Sequence, residues 1–325
     1  MELGIETIIE GDILEPGIIA IDARMFSDII RKLPNNNILI TTTDRFETLI
    51  ICEKSRFVIP SQPGEEYTGL PDLDQENIRP VLISALDLKI MIQKSIFSAS
   101  ASDSNKLLMG EYFTISGHTL KVSALDGHRV AVTKLILQDD YDELAAIIPC
   151  KALTEISRIL PDSDEEMVKI YFTDNLILFA FNRTVVVSRL VEGSYFDVDH
   201  MMSCSYNTKI QINNKDFKSS LERTLLLVQE TDRKPVIFSI VDGHMNIMIR
   251  SGLGSLNEEI EVTKTGNDIR IGFNPRFLLD ALKVIDDETV TMYFFNSLGP
   301  CFIKNDEESY NYMILPINMN TEGEE

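Results

Sequence analysis

Asp126 and His128 come closest to a chemically useful pair, since a carboxylate and an imidazole two positions apart can exchange protons in acid–base catalysis. The chain has only four histidines and four scattered cysteines, and neither type falls in a metal-ligating or CxxC spacing. Gly252-Leu253-Gly254 is too short to form a nucleotide-binding fingerprint. The sequence therefore favours a protein that is not an enzyme and that has no cofactor and no metal.

The net charge of the 325-residue chain is −21, with an isoelectric point near 4.6. Taken alone, this balance disfavours nucleic-acid binding, which needs Lys and Arg to displace counterions from phosphates, unless the basic residues share one surface. The acidic N-terminus has no apolar segment of a signal peptide, and the scattered cysteines are typical of reduced thiols. Apolar runs such as Leu176–Phe181 are strand-length, well short of the ~18 residues of a membrane helix. A cytoplasmic protein is predicted.

Three segments of the chain share a layout that must position any functional residue. They begin at Asp22, Pro149 and Asn274, and each reads as an amphipathic helix, a short break and an apolar strand. Each helix repeats a base, an acid at +4 and a base at +7 on the face opposite its apolar residues. On one helix this pattern predicts only solvated ion pairs, but three copies favour a shared role. The positions are Arg24, Asp28 and Arg31, then Lys151, Glu155 and Arg158, then Arg276, Asp280 and Lys283.

A second set of helices begins at Ser84 and Asn213, and each is followed by a strand-rich stretch. Glycine turns interrupt these strands at 116–118 and 242–244, as in hairpins. One module of about 125 residues is therefore helix, strands, helix, strands. The sequence predicts an α+β fold of tandem domains with paired helices on antiparallel sheets, two complete modules plus one partial. The predicted domains are 1–78, 79–204 and 205–325, and the repeat period predicts that the first lacks its N-terminal half.

Local motifs resemble one family over the length of the chain. Leu108-Met109-Gly110 and the Ala124–Val132 stretch ALDGHRVAV are similar to the Leu-x-Gly and Asp-Gly-His-Arg signatures of bacterial sliding clamps, the beta subunits of DNA polymerase III. Gly272–Leu282 resembles the start of the last inner helix of that family, and Tyr312–Met319 resembles its terminal strand. The predicted helices carry slightly more basic than acidic residues, so a weakly basic lining inside an acidic body would reconcile the net charge with DNA.

The resemblance implies a homodimer of three-domain chains that closes a ring around double-stranded DNA and holds it topologically, without sequence specificity. The implied partners are DNA polymerase III alpha and clamp-loader subunits, together with other polymerases and repair factors that dock through short peptides with leucine and phenylalanine anchors. The family operates in the nucleoid-associated cytoplasm and confers processivity without catalysis. Because the first module is partial, we expect this chain to be monomeric or weakly associated.

The resemblance also places one peptide-binding cleft between the second and third domains. The corresponding residues are Leu108, Leu125, Gly127, His128, Arg129, Val130, His200, Met201, Asn274, Phe277, Leu298, Pro300, Met313, Ile314, Leu315, Pro316 and Ile317. Three departures from the family pattern stand out: Phe196 replaces a proline, His200 replaces an arginine and Leu125 replaces a threonine. An acidic tail, Asn320–Glu325, is expected to be disordered and to screen the cleft partly.

DNA-facing positions are expected on the inner helices and one adjoining loop. They are Arg24, Arg31, Lys32, Lys89, Lys94, Lys106, Lys151, Arg158, Lys215, Lys218, Arg223, Arg276 and Lys283.

Alternatives remain at this point. Asp126-Gly127 also suits a simple hairpin turn, and Met313–Leu315 suits a buried last strand. The chain could be a peptide-binding scaffold of the clamp fold that does not close a ring on DNA. The eukaryotic-type clamp, with two domains per chain, is disfavoured by the third module.

Overall fold

The computed structural model describes residues 2–66, 69–71, 78–102, 104–203, 205–228 and 234–318. The chain divides into two compact units, one formed by residues 7–73 and the other by residues 1–6 with 74–325. The first is called the amino-terminal unit below, and the second the main unit. The acidic tail Asn320–Glu325 and Met319 lie outside the described residues.

Strands and helices alternate along the described chain in a mixed α and β pattern. The strands are β1 (Leu3–Thr7), β2 (Ile19–Ile21), β3 (Leu39–Thr42), β4 (Glu47–Cys52), β5 (Ser55–Pro63), β6 (Val81–Ser84), β7 (Gly110–Leu125), β8 (Arg129–Pro149), β9 (Met167–Phe172), β10 (Leu176–Phe181), β11 (Thr184–Arg189), β12 (Thr208–Asn213), β13 (Val236–Val241), β14 (His244–Ser251), β15 (Gly254–Glu261), β16 (Thr263–Gly266), β17 (Ile269–Phe273), β18 (Thr289–Phe294), β19 (Cys301–Lys304) and β20 (Tyr310–Ile314). The helices are α1 (Ala23–Lys32), α2 (Ala85–Ser95), α3 (Cys150–Ile159), α4 (Val198–Met202), α5 (Asn214–Leu225) and α6 (Pro275–Lys283). Within these ranges, no helix is long and apolar enough to cross a membrane.

Four of the five predicted helix starts are confirmed by side-chain caps, and α3 begins after Pro149 without one. The side chains of Ser84 and Asn213 accept hydrogen bonds from the backbone N–H groups three residues on, and Asn274 caps the helix that follows it, where Pro275 occupies the first turn. Asp22 caps α1 in the same way. A side-chain oxygen at this position satisfies a backbone donor that the helix leaves unpaired, which is why these residue types mark the starts so reliably.

The amino-terminal unit holds α1 and a four-stranded antiparallel sheet in the order β2-β5-β4-β3. Ile50, Cys52 and Ile59 are buried, whereas no residue of α1 is buried and β3 is exposed throughout its length. Several large apolar side chains of this unit, including Phe57 and Val58, are exposed.

The main unit contains two modules with the same internal order. In the second domain, the sheet β6-β9-β10-β11 accompanies the helix pair α2 and α3; in the third, β12-β18-β19-β20 accompanies α5 and α6. The predicted repeat is therefore present in the fold. Each module buries its own apolar core, one centred on Leu88 and Ile156 and the other on Phe217 and Leu282. The exact domain boundaries stay a prediction.

Strand pairing joins consecutive modules. β1 lies at the free edge of β11, and β8 lies beside β20 in a seven-stranded sheet that crosses from the second domain to the third. The register pairs Val130 with Met313 and Arg129 with Ile314. The second and third domains are thus continuous in backbone hydrogen bonding, and this junction is where the predicted cleft residues meet.

The two predicted glycine turns take different forms. Asp242 and Gly243 form a two-residue hairpin loop between β13 and β14, with Asp242 at φ 51°. Gly117, at φ +59°, lies inside the continuous β7. The Thr114 hydroxyl nevertheless lies 3.5 Å from the carbonyl of Lys121, although seven residues of straight strand span about 23 Å. The chain therefore reverses within β7 near Gly117, as the sequence predicts.

Candidate partner-peptide cleft and basic helix faces

A small apolar cluster lies at the junction of the second and third domains, apart from the two main cores. It contains five of the predicted cleft residues and four others that sequence analysis missed. We call it the cleft cluster: Leu108, Leu125, Val130, Val132, Tyr195, Val198, Met201, Met202 and Met313. Leu125, Val130, Val132 and Val198 are buried, and the remaining five are only partly covered.

Strand alternation explains which side chains enter the cleft cluster. Along β8, Val130 and Val132 point into it, whereas Ala131 points into the core of the third domain. Along β20, Met313 points into it. Ile314 is 1% exposed and its side chain packs in the third-domain core, outside the cleft cluster, so its part in the cleft stays a prediction. The same alternation was available in the sequence at 130–132.

The short helix α4 forms one wall of the cleft cluster. Its N-cap Asp197 accepts a hydrogen bond from the His200 N–H at 3.1 Å. Lys121 of β7 donates to both carboxylate oxygens of Asp199, at 2.9 and 2.7 Å, and so ties the helix to the hairpin. Val198, Met201 and Met202 thereby face the cluster, while His200 stays exposed. Asp197 is the sequence signal that could have predicted this helix.

The loop between β7 and β8 is held rigidly by Asp126. One oxygen of its carboxylate accepts the N–H groups of His128 and Arg129, at 2.9 and 3.1 Å, and Gly127 adopts φ +88°. Asp126-Gly127 therefore forms a hairpin turn, and the hydrogen bonds of this turn occupy the Asp126 carboxylate. Across the junction, Leu315 donates its N–H to the His128 carbonyl at 2.8 Å.

Arg129 points away from the cleft cluster. Its guanidinium donates to Asp126 at 2.9 Å and to Asp280 of α6 at 2.8 Å, and its side chain is 11% exposed. The ring of Phe277 lies 4.4 Å from the guanidinium carbon, and that of Phe97 lies 5.6 Å from it. The Arg129 side chain therefore lies beside Phe277 on the third-domain side rather than within the cleft cluster, and its part in the cleft stays a prediction.

The other predicted cleft residues lie on the third-domain side and are not part of the cleft cluster. His128 stacks on Phe277, with ring centroids 6.0 Å apart. Ile317 donates its N–H to the Gly272 carbonyl at 2.8 Å, which fixes the segment 315–317 after β20. In that segment Leu315 is exposed, and Pro316 and Ile317 are half-buried. Asn274 serves as the cap of α6, so its amide oxygen is engaged.

Leu298 and Pro300 lie in the loop between β18 and β19. Leu298 is 74% exposed, and its N–H donates to the Asn296 side chain; Pro300 is half-buried. Neither belongs to the cleft cluster, and their contribution to the cleft stays a prediction.

A buried acid lies beneath the cleft. Both carboxyl oxygens of Glu111 are buried and lack a hydrogen-bond partner among the described residues. Burial raises the pKa of Glu111 well above its ordinary value, and the hydroxyl of Ser95 opposes this shift by less. Burial, together with the charge of Glu111, also raises the pKa of the Cys150 thiol and of the Tyr195 phenol. Tyr195 donates its hydroxyl to the Gly110 carbonyl and reaches the cleft cluster from this side.

The predicted DNA-facing residues differ in how available they are. Lys89, Lys94 and Lys218 are half-buried, and the rest are exposed: Arg24, Arg31, Lys32, Lys106, Lys151, Arg158, Lys215, Arg223, Arg276 and Lys283. On α6, Arg276 and Lys283 border a shallow pocket of about 410 Å³ beside Leu225 of α5. The repeated pattern therefore presents its bases to solvent, as expected from the sequence.

Several of these cations are already engaged. Lys89 donates to Asp162 at 2.6 Å and to the Leu160 carbonyl at 3.3 Å. Arg223 forms an ion pair with Glu258, and its hydrogen bonds lower the pKa of that carboxyl. Lys94 lies over the Tyr310 ring. Arg158 pairs with Glu155, at 2.5 Å, on the surface of α3.

Nothing in the described parts of the chain resembles a metal centre, because no three His, Cys, Asp or Glu side chains group there in a way that could hold an ion.

Comparison with known proteins agrees with this architecture. Three family models of the DNA polymerase III beta subunit match in tandem: the N-terminal domain at residues 1–71, the central domain at 83–197 and the C-terminal domain at 202–318. A beta sliding clamp of Staphylococcus epidermidis is 34% identical over 315 residues, which cover 96% of this chain and 82% of that protein. One from Staphylococcus aureus is 32% identical over 324 residues, covering 98% and 85%.

Solved structures show the same fold. A putative DNA polymerase III beta subunit from Eubacterium rectale superimposes with a TM-score of 0.92 at 47% identity, covering 98% of this chain and 87% of that one. A DNA polymerase sliding clamp from Bacillus subtilis gives 0.91 at 30% identity, covering 98% and 86%. The predicted fold of tandem clamp domains is confirmed. With three successive domain matches and relatives above 30% identity along nearly all its length, the chain belongs to the DNA polymerase III beta subunit family, the sliding clamps that confer processivity on the replicative polymerase.

Proposed function

We propose that this chain docks short peptides of its partners in the cleft cluster while two copies encircle duplex DNA. The observation that carries the peptide site is the cluster itself, which both domains build and which leaves Met201, Met202 and Met313 partly uncovered. Methionine side chains adapt to differently shaped apolar anchors, which suits a surface that accepts several partners. The proposed occupants are peptides of DNA polymerase III alpha, the clamp loader and repair factors.

The proposed role in DNA binding is topological and electrostatic. Exposed bases on α3 and α6, such as Lys151, Arg276 and Lys283, would contact phosphates weakly and exchangeably, while the net charge of −21 would keep DNA from the remaining surface. The family's members are processivity factors rather than catalysts, which is consistent with a non-enzymatic role in the nucleoid-associated cytoplasm.

Repeat symmetry suggests how two copies would join. β8 lies beside β20, and β1 lies beside β11, so the same kind of edge is used at both junctions. By the same repeat, β5 corresponds to β11 and β20, and β15 corresponds to the start of β8. β15 ends its sheet, and residues 55–60 of β5 have no second partner strand among the described residues. Pairing β5 of one copy with β15 of another would extend the pattern and close a ring.

Methionine NMR would test the peptide site. With methyl-labelled methionine, a peptide of the Gln-Leu-x-Leu-Phe type should shift the signals of Met201, Met202 and Met313. Met245 and Met292 are buried in the third-domain core and serve as internal controls that should not move. Shifts confined to other methionines, or none at saturating peptide, would contradict the proposed cleft.

Retention on circular DNA would test the ring. After loading onto a nicked plasmid, the protein should stay bound in high salt and be released when the plasmid is cut once. Peptide binding without this topological retention would instead support the alternative, a clamp-fold scaffold that does not close on DNA.

A further inference from the structure

The Arg129 clasp consists of Arg129, Asp126 and Asp280 with the rings of Phe97 and Phe277. Its guanidinium joins two elements that belong to different domains: the loop at 126–128 in the second domain and α6 in the third. The clasp lies directly behind the cleft floor, because Arg129 and Val130 point to opposite faces of β8.

Each polar group of the clasp has a defined partner. Asp126 uses one oxygen for the backbone of its own loop and the other for Arg129, so the loop and the guanidinium are fixed together. Asp280 is held on α6, and Phe277, one turn earlier on that helix, covers the guanidinium. A planar guanidinium offers donors to two carboxylates in a fixed fork and can stack on an aromatic ring at the same time, whereas a compact ammonium group has neither the fork nor the flat face.

Aromatic contacts extend the clasp across the junction. Phe97 follows α2 in the second domain and meets Tyr312 of β20 edge-on, with ring centroids 5.3 Å apart. The guanidinium therefore contacts a ring from each domain; the Arg129 side chain is 11% exposed and that of its partner Asp280 is 37% exposed. In this setting both the cation–π contact and the ion pair are stronger than at a solvated surface.

We propose that Arg129 is a positioning residue that locks the two walls of the peptide cleft in their binding geometry. This inference rests on the proposed peptide site. The loop 126–128 leads from Leu125 on one side of the hairpin to Val130 on the other, and both form the cleft floor. Holding this loop to α6 keeps the floor in register with Met313 and Leu315. A peptide then enters a preformed groove and does not have to order one.

Breaking the clasp is expected to lower the fraction of molecules that hold the binding-competent geometry. If only a fraction of molecules holds the competent geometry, the apparent Kd rises by the inverse of that fraction. We expect Asp280→Asn, which keeps the shape of the side chain but removes its charge, to weaken peptide binding by about tenfold. Asp280→Glu should retain most of the affinity, because the carboxylate is preserved.

A double-mutant cycle separates positioning from direct contact. A labelled Gln-Leu-x-Leu-Phe peptide is titrated with Arg129→Met, Asp280→Asn and the combined variant. Each titration is done at a temperature below the unfolding midpoint of that variant. Arg158→Met is the matched control, since it removes one arginine from a solvated pair on α3 and should leave the affinity unchanged. We expect Asp280→Asn to change the peptide affinity little once Arg129 is replaced, because both substitutions break the same link.

Two results would overturn the proposal. One is a loss of affinity in Arg129→Met with none in Asp280→Asn, which would mean that Arg129 contacts the peptide itself. The other is wild-type affinity in both folded variants. Failure of the wild-type protein to bind any such peptide would overturn the proposed cleft as well. Amide exchange at Leu315, whose N–H donates to His128 across the junction, then still reports whether Asp280→Asn loosens the link.

Discussion

β8 of the second domain and β15 of the third occupy corresponding positions in their modules, but they differ in how they are paired. The start of β8 is covered by β20, and its residues Val130, Ala131 and Val132 are all buried. β15 ends its sheet and alternates exposed and half-buried residues, among them Glu259 and Glu261. An apolar strand thus builds an internal junction, and an acidic one leaves an open edge. Strand composition therefore distinguishes a strand paired within a domain junction from a strand that ends its sheet.

Ion pairs at the junction and on the surface of α3 also differ in their exposure. The Arg129 clasp is shielded by two aromatic rings, whereas the Arg158–Glu155 pair lies in solvent, with side chains 67% and 40% exposed. Buried charges depend on their partners far more than solvated ones do. The junction should therefore be sensitive to single charge changes that the module surfaces tolerate.

Replacing Arg129 should have the largest effect on stability. Arg129→Leu leaves Asp126 and Asp280 without their shared partner and removes the packing on Phe277, so the free energy of unfolding should fall by about 3 kcal/mol. Arg158→Leu should change it by less than about 0.5 kcal/mol. Urea denaturation of both variants checks the contrast. Equal effects would show that the clasp is no more than a surface ion pair.

Glu111 should make the stability of the second domain depend on pH. Because its folded-state pKa lies above the ordinary value of 4.5, the folded protein holds a proton that the unfolded chain releases. The free energy of unfolding should thus be largest below pH 4.5 and should fall as the pH rises from 4.5 toward the raised pKa. Burial, with the charge of Glu111, raises the pKa values of Cys150 and Tyr195, so both groups stay neutral in this range.

Glu111→Met should consequently stabilise the protein by roughly 1–3 kcal/mol at pH 8 and by much less near pH 4.5. Glu111→Gln is the matched control, which should remove the pH dependence but retain the cost of an unpartnered polar group. Thermal unfolding across this pH range measures both. A gain that is the same at every pH would mean that packing, not ionisation, is responsible.

Charge reversal at the open edge should have the smallest effect. If β15 pairs with β5 of a second copy, Glu259 and Glu261 would approach Lys54 and Arg56, so Glu259→Lys with Glu261→Lys should weaken self-association by about 1 kcal/mol. Asp164→Lys with Glu165→Lys makes the same charge change in an exposed turn and should have no effect. Light scattering over a concentration series measures both, and it also tests the weak association expected from the sequence. Equal weakening by the two pairs would point to net charge alone.

Local features of the fold could be predicted from the sequence because their causes are local. Ser84, Asn213 and Asn274 cap helices through their own side chains, and the turn at Asp242-Gly243 follows from the backbone conformations that those residues tolerate. The module repeat is visible for the same reason, since each copy preserves these signals at a constant period.

Contacts between distant residues could not be predicted in this way. Arg129 meets Asp280 of the third domain across 151 positions, so its burial depends on the β8–β20 junction. Transfer by motif identified the neighbourhood of the cleft but not the direction of each side chain. Ile314 and Arg129 lie outside the cleft cluster, and strand alternation alone separates Ile314 from Met313.

The central claim is that the cleft cluster is a working peptide site, and fluorescence anisotropy tests it most directly. A labelled Gln-Leu-x-Leu-Phe peptide is titrated with the wild-type protein and with a Met313→Ala, Leu315→Ala double variant whose fold is verified by circular dichroism. The account predicts saturable binding in the micromolar range and a loss of at least about tenfold in the variant, as expected for truncated apolar anchors. No binding by the folded wild-type protein, or equal binding by both, would contradict it.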